Sequence, residues 1–400
     1  MTLKKITISG TGCALADFLY TDISFEKRNF TEYLSKNVGD GGLSPGKLVF
    51  TEELEKFSGC SYKEILEKFS GGDPPVAFNV GGPSLVSLLH ASQILDSKEF
   101  EVKFFGIAGN DDTGNMILKI ISDTPLNINN YCLTSGKSTP FTDVFSDKMF
   151  DNGHGERTFV NNIGAAWDYE PGQLTDDFFN AGIVCFGGTA LVPQIHDNLT
   201  SILEKAKKSN CITIVNTVFD FRNEKKFPGS PWPLGNSKIS FGLIDVLIMD
   251  REEALKISGQ KTIDNAAVFF VTSNVSSFVI TNGADTVYIW SGGGFFDKTR
   301  LKKLPVSEKV KEDLRLRPEQ KGDTTGCGDN FAGGIIASVA MQMKTRNPGQ
   351  YDLVEAVSLG IASGGFCCYI LGGTYIEKYP GEKKNRVFEL QKEYLKQIGI

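Results

Sequence analysis

Histidine is scarce in this chain: 400 residues hold three, His90, His154 and His196. The eight cysteines form no C-x-x-C pair and stand in no Cys/His ligand spacing, which excludes a structural zinc site. Eight are also too few for a disulfide scaffold, and Cys13, Cys185, Cys211, Cys367 and Cys368 sit in apolar contexts. The expectation is a reduced, cytoplasmic protein. Positive charge is in deficit, 42 Lys and Arg against 48 Asp and Glu for a net −6. A nucleic-acid backbone needs a basic face, so no nucleic-acid partner is expected. No apolar run reaches the ~18 residues of a membrane span, and the N-terminus lacks the longer apolar core of a secretory signal, so neither is expected. What is present is ordinary for a globular protein, 40% hydrophobic and 22% charged residues, with an abundance of glycine at 43. The length suits one large α/β domain or two smaller ones.

The chain carries no internal repeat and no low-complexity block. Ile6-Thr7-Ile8 alternates and ends in Ser9-Gly10-Thr11-Gly12, a strand entering a glycine turn. Residues 22–72 are more polar and aromatic, with Gly39-Asp40-Gly41-Gly42 and Ser44-Pro45-Gly46 as turn clusters. Short amphipathic helices are predicted there over 51–57 and 61–69, the second opened by a Ser61/Glu64 capping box. From Gly82 onward the pattern is regular. Helices are predicted over 83–95, 111–121, 192–207 and 251–258. Strands are predicted over 102–108, 183–186, 212–215, 246–249, 278–281 and 287–290. An antiparallel pair, 141–150 with 157–160, is joined by Asp151-Asn152-Gly153. Unbroken apolar strands alternating with helices predict a doubly wound, mainly parallel sheet with helices on both faces. Such sheets bind ligands beyond the carboxyl ends of their strands. The charged stretch 297–321, with Lys302 and Lys303, reads as a loop over the nucleotide side or a solvated face.

The most informative segment is Asp323-Thr324-Thr325-Gly326-Cys327-Gly328-Asp329, which runs into a helix of small and apolar residues ending near Met343. Glycines on either side of one small residue let successive N–H groups point at one spot, where the helix dipole adds to them. That is an anion hole. Asp329 follows in the first turn. A carboxylate repels a bound phosphate, so its presence points to a base that takes the proton from a hydroxyl attacking that phosphate. The plainer alternative, a tight turn with an Asp favouring the dipole, fits an isolated G-x-G-D better than this whole string.

The same string resembles the D-T-x-G-A-G-D signature of the ribokinase-like (PfkB) carbohydrate kinase family, with Cys327 in the place of alanine. Four further segments match in order. Gly106-Ile107-Ala108-Gly109-Asn110-Asp111-Asp112-Thr113-Gly114 is similar to G-x-V-G-x-D-x-x-G. Gly155-Glu156-Arg157-Thr158-Phe159, followed by Gly164-Ala165-Ala166, resembles the G-E-R-T-F strand. Met249-Asp250-Arg251-Glu252-Glu253-Ala254 resembles the N-x-x-E motif with Asp250 in place of asparagine. Thr281-Asn282-Gly283-Ala284-Asp285 resembles the T-x-G-A-x-G nucleotide loop. The likeness runs from about Ile6 to Tyr375.

It implies a ribokinase-like fold with a small β-sheet lid drawn from parts of 17–72 and 137–162, and ATP-dependent phosphorylation of a hydroxyl, a primary one by expectation. Asp329 is then the base, with the N–H groups of Gly326, Cys327 and Gly328 holding charge on the γ-phosphoryl. Glu253 and Asp250 serve Mg²⁺, largely through water. Thr281, Gly283, Thr325 and Gly326 meet the nucleotide, and Asp17, Gly81, Gly82 and Arg157 meet the acceptor. Asp17 as a turn cap and Arg157 as a solvated strand position are the competing readings. The family's asparagine four residues after Gly82 is Val86 here. The likeness leaves room for a monovalent cation such as K⁺ and for a homodimer through the lid. The 22–72 insertion is similar to the adenosine-kinase branch, whereas Asn216, Arg222 and Pro231-Trp232 resemble sugar-acid and fructose kinases. A sugar kinase, a nucleoside kinase, and a catalytically idle binding protein on the same fold therefore remain open.

Overall fold

The segments Ile183–Gly187, Ile212–Asn216 and Val246–Asp250 are buried along almost their whole length, as apolar strands must be when helices cover both faces. The structure, a computed structural model, describes residues 5–400 apart from Asp22, Val38 and Asp323, and only the backbone of Asn152 and Gly153. Asp323, the first residue of the signature string, thus lies outside the described residues. Within them the strands are β1 (Ile6–Gly12), β2 (Leu15–Tyr20), β3 (Leu48–Phe50), β4 (Ala77–Gly81), β5 (Phe100–Gly109), β6 (Asn127–Thr134), β7 (Phe141–Asp147), β8 (Glu156–Asn162), β9 (Ile183–Gly187), β10 (Ile212–Asn216), β11 (Val246–Asp250), β12 (Ser277–Thr281), β13 (Thr286–Ser291) and β14 (Thr299–Pro305).

Nine strands form one sheet in the order β14-β13-β12-β11-β10-β9-β1-β5-β6. All neighbours from β6 to β12 are parallel, and β13 and β14 close one edge antiparallel. One face is packed by the helices Pro83–Ile94, Cys327–Thr345 and Leu353–Cys367, the other by an aromatic-rich layer that includes Phe105, Phe178, Phe186, Phe270 and Phe278. The doubly wound, mainly parallel sheet read from the sequence is therefore present. Strand order reverses at β1, which has β5 on one side and β9 on the other. The crevice of such a sheet opens at the carboxyl ends of the strands flanking that reversal.

A second sheet, β3-β8-β7-β2-β4, stands beyond that end. One of its faces is covered by the helices Arg28–Thr31, Thr51–Ser58 and Tyr62–Ser70. They enclose a separate core of Tyr20, Phe25, Phe30, Leu54, Ile65, Phe69, Phe145 and Val160. The Ser61/Glu64 capping box forms as read, and the Tyr62 hydroxyl donates to Asp143 at 2.5 Å, tying this layer to β7.

Several expectations need correction. β4 lies outside the 17–72 range, because Gly81-Gly82 masked a short strand that pairs antiparallel with β2. Asp17 sits in the middle of β2, not in a turn. The predicted helix over 192–207 is two helices, Pro193–Asp197 and Leu199–Lys208, broken at Asn198. The link between β7 and β8 is a short helix, Phe150–Gly153, in place of a tight hairpin. The stretch 297–321 is not a loop: it holds β14 and the helix Glu308–Leu316. β14 is an edge strand with only Leu304 buried, so its lysines face solvent and hide the strand period. Lys303 pairs with Asp264 at 3.0 Å and lies over the Tyr288 ring.

Candidate active site

The site residues gather at the carboxyl ends of the parallel strands. Asp250 ends β11 and is in register with Thr281, which ends β12. Gly12 ends β1 against Gly187 of β9, so closely that a Cβ on Gly12 would lie 1.9 Å from the Gly187 carbonyl oxygen. Gly82, at φ +93°, lets β4 return beside Cys13 and Ala14; a Cβ there would meet the Cys13 carbonyl at 2.6 Å. Gly81 makes room for the acceptor candidate itself, since its Cβ would fall 2.1 Å from Asp17 Oδ2.

The signature turn opens the 19-residue helix Cys327–Thr345, with Gly326 at φ +73° as its N-cap. This is the left-handed conformation that glycine adopts without strain. A Cβ on Gly326 would strike Gly373, and the buried Asn330 clasps both loops by donating to the Gly326 and Gly373 carbonyls at 2.9 and 2.8 Å. A Cβ on Gly328, by contrast, would meet open space. The helix dipole therefore points its positive end towards open space. One expectation shifts here: the Cys327 N–H donates to the Thr324 carbonyl at 3.3 Å. The N–H groups of Gly326 and Gly328 have no acceptor among the described residues and are the better placed donors.

Two carboxyl groups near this turn hold their protons more tightly than an ordinary carboxyl does. Burial alone pushes Asp329 up to about 7, which suits a proton acceptor working near neutral pH. Burial, then the neighbouring Asp250, and to a lesser degree the charge of Asp329 push Glu253 up to about 8. Burial first, then the charges of Asp17 and Asp329, also push the buried Cys13 thiol well up. Asp329 thus lies within electrostatic reach of both Cys13 and Glu253. Asp250 and Glu253 form a reciprocal capping box at the start of the helix Arg251–Ser258. Glu253 Oε2 accepts from the Asp250 N–H at 2.9 Å and from the Thr217 hydroxyl at 2.6 Å.

No three His, Cys, Asp or Glu side chains among the described residues converge to cage a metal ion. The acidic pair nevertheless fits Mg²⁺: Glu253 is buried, Asp250 beside it is open to solvent and repels it, and Mg²⁺ keeps waters and phosphate oxygens as most of its ligands. At the far side, Gly283, at φ +55°, turns β12 into β13 with open space where its Cβ would be. The Thr281 hydroxyl donates to the Met249 carbonyl at 3.5 Å.

Arg157 is not a solvated strand residue. It reaches from β8 to the signature turn, donating to the Thr325 hydroxyl at 3.3 Å. The residues 74–376 match the model of the pfkB family carbohydrate kinases. The chain belongs to that family. It is therefore an ATP-dependent kinase whose acceptor is an alcohol group. Solved members of the fold agree in architecture. Adenosine kinase from Anopheles gambiae, in complex with P1,P4-di(adenosine-5) tetraphosphate, is 19% identical with a TM-score of 0.67 over 92% of this chain and 96% of that one. Adenosine kinase from Sinorhizobium meliloti is 16% identical with a TM-score of 0.67, covering 96% and 99%. Arabidopsis thaliana ribokinase, complexed with ribose and ATP, is 14% identical with a TM-score of 0.61, covering 97% and 99%.

The pfkB signature did not disclose every residue of the site. Across the small sheet, the register aligns Asn79 of β4, Asp17 of β2, Thr142 of β7 and Asn161 of β8 in one row. Asn161 donates to the Thr142 hydroxyl at 2.9 Å, and the Asn79 amide lies where a Cβ on Gly372 would be, beside Gly373 and Gly326. Asn79 stands two residues before Gly81-Gly82, the one signal that could have found it. Val86, where the family carries asparagine, is buried behind Gly373. Asn216 is buried at the end of β10 and approaches Gly187. Arg222 is spent on Asp197 at 3.0 Å and on the Trp167 ring, lining a cleft of about 860 Å³ with Phe50, Phe221 and Lys225. Trp232 is buried and donates to Glu224 at 2.8 Å. Arg222 and Trp232 are thus engaged with Asp197 and Glu224, whereas Asn216 ends β10 at the same strand-end crevice.

Proposed function

We propose that this kinase transfers the γ-phosphoryl of ATP to a hydroxyl of a sugar or sugar derivative. The observation that carries the reading is the row Asn79-Asp17-Thr142-Asn161, a line of hydrogen-bonding side chains that runs up to the signature turn. A polyhydroxylated acceptor needs such a row; a nucleobase needs an aromatic slot. The neighbouring ring cluster Phe18, Phe78 and Phe141 follows the alternate positions of the strands, on the other side of the pleat from Asp17.

In this reading Asp17 and Asn79 hold acceptor hydroxyls while Asp329 takes the proton of the attacking one. The N–H groups of Gly326 and Gly328 and the guanidinium of Arg157 meet the charge that develops on the phosphoryl group. Thr281, Gly283 and Thr325 line the nucleotide side. Glu253 and Asp250 would hold Mg²⁺, largely through water, and the bound Mg²⁺ would neutralise phosphate charge. A small lid over the acceptor, formed by the five-stranded sheet, belongs to the same reading, as do activation by a monovalent cation such as K⁺ and a cytoplasmic location. The helices covering one face of the small sheet leave only its edges and other face to a homodimer through the lid.

A turnover screen with ATP over sugars, sugar acids, sugar phosphates and nucleosides tests the reading. Phosphorylation of a sugar-class acceptor is the expected result. Turnover of nucleosides alone would replace it with nucleoside kinase. ATP binding without turnover of any of them would leave an idle binding protein.

A further inference from the structure

Cys327 opens the helix Cys327–Thr345, and Cys368 caps the end of the helix Leu353–Cys367. Their sulfur atoms lie 3.6 Å apart, and neither thiol is fully buried. The two helices cross backbone to backbone. A Cβ on Gly334 would meet the Leu359 carbonyl at 2.7 Å, and one on Gly364 would meet the Cys327 carbonyl at 3.1 Å. The third thiol nearby, Cys367, is buried and donates to the Thr325 carbonyl at 3.2 Å, away from this pair.

We propose that Cys327 and Cys368 are a modification site, oxidised by hydrogen peroxide to a reversible disulfide that disables phosphoryl transfer. The consequence for turnover rests on the reading of the signature turn as the phosphate cradle. The hydrogen bond with Cys327, with burial added, pushes the Cys368 thiol up, so Cys327, at the positive end of its helix, reacts first. Its sulfur attacks one peroxide oxygen. The O–O bond breaks, the leaving hydroxide takes the Cys327 thiol proton and departs as water, and Cys327 becomes a sulfenic acid. The Cys368 sulfur then attacks the Cys327 sulfur; the S–O bond breaks, and the oxygen leaves as water with the Cys368 proton. Two thiols and one peroxide give one disulfide and two waters, with two electrons passing from sulfur to oxygen.

A disulfide holds its sulfurs about 2.05 Å apart. The crossing helices have no slack, so the sulfurs close their gap by thiol rotation and by movement of the turn Thr325-Gly326-Cys327. That movement displaces the Gly326 and Gly328 N–H groups and Asp329, and a shift of about 1 Å at a reacting centre costs on the order of 10²-fold in rate.

The test treats the whole protein with hydrogen peroxide, maps its tryptic peptides without reduction, and follows turnover before and after dithiothreitol. The expected result is a link between the Cys327 peptide and the Cys367-Cys368 peptide, two hydrogens lighter than the pair. Turnover falls by about 10²-fold and dithiothreitol restores it. Cys367→Ala keeps both effects. Cys368→Ala, or Cys368→Ser should the first not fold, keeps basal turnover and loses the link and the recovery by dithiothreitol. No Cys327–Cys368 link in a folded, active protein overturns the proposal. A mapped link with undiminished turnover overturns its functional half and, with it, the placement of the phosphate cradle at this turn.

Discussion

Asp329 receives no side-chain hydrogen bond among the described residues; its carboxyl is raised by burial alone. In the proposed reading of Asp329 as the base, its protonation near neutrality governs the rate. Asp329→Asn is expected to lower kcat by about 10²–10⁴-fold while ATP still binds, measured by steady-state turnover beside nucleotide titration. In the parent protein kcat/KM should fall as pH drops below about 7, since the protonated acid cannot accept the acceptor's proton. The stability consequence has the opposite sense. The folded protein keeps a proton that the unfolded chain loses above about pH 4, so this group makes stability decline as pH rises from there to about 7. Asp329→Asn should flatten that part of the Tm–pH curve. Asp17 tests the other end of the site. A carboxylate accepting hydroxyl hydrogen bonds gains about 1.5–3 kcal/mol for each. Asp17→Ala should raise the acceptor KM at least tenfold and leave the KM for ATP unchanged, as a strand residue with no capping duty. Asp329 and Glu253 were nominated because they stand in ordered motifs, and Asp17 because it follows the first strand. Asn79, Thr142 and Asn161 were not, since three strands of different sequence position each contribute a single polar residue.

The helix Arg251–Ser258 shows how one element serves structure and chemistry together. Its capping box uses Asp250 and Glu253, the two residues that the motif assigns to metal. Asparagine caps a helix as well as aspartate, so Asp250→Asn should leave the helix and the Tm nearly unchanged. It removes a like charge from beside Glu253, which then ionises below its present value of about 8. Magnesium titrations of turnover at several pH values should show the pH of half-maximal Mg²⁺ activation moving down. An unchanged profile would mean that Glu253 does not meet the metal. Elements with one apolar period were readable from the sequence, among them β9 to β12 and the helix Cys327–Thr345. β14 was not, because an edge strand rich in lysine has no buried face to betray it. The split at Asn198 was hidden because both helices keep apolar residues on one continuous side.

At the scale of the whole molecule, the contact between Arg157 and Thr325 joins the small sheet to the large one across the site. Arg157→Ala removes that tie and, in the proposed reading, a charge that meets the phosphoryl group. It should lower kcat/KM for the acceptor by about 10²-fold or more, and speed hydrogen exchange in β7 and β8, while the core of the nine-stranded sheet exchanges as before. Rapid exchange throughout would instead mark a folding defect. The layer of helices over the small sheet is built from residues 22–72, whose polar and aromatic composition announced an insertion but not its place. That place is decided by Phe145 and Val160, which come from far along the chain and complete its core.

By itself the sequence determined the alternation of strands and helices, the glycine turn before a helix of small residues, and the family. Each of these is written in contiguous residues, where backbone conformation and periodicity act locally. The tertiary structure decided which side chains meet: Asn79 beside Gly372, Arg157 over Thr325, Asn330 clasping two loops, and Cys327 against Cys368. Those meetings depend on strand register and helix crossing. These are fixed by the packing of segments as far apart in the chain as Asn79 and Gly372, and no local pattern encodes them.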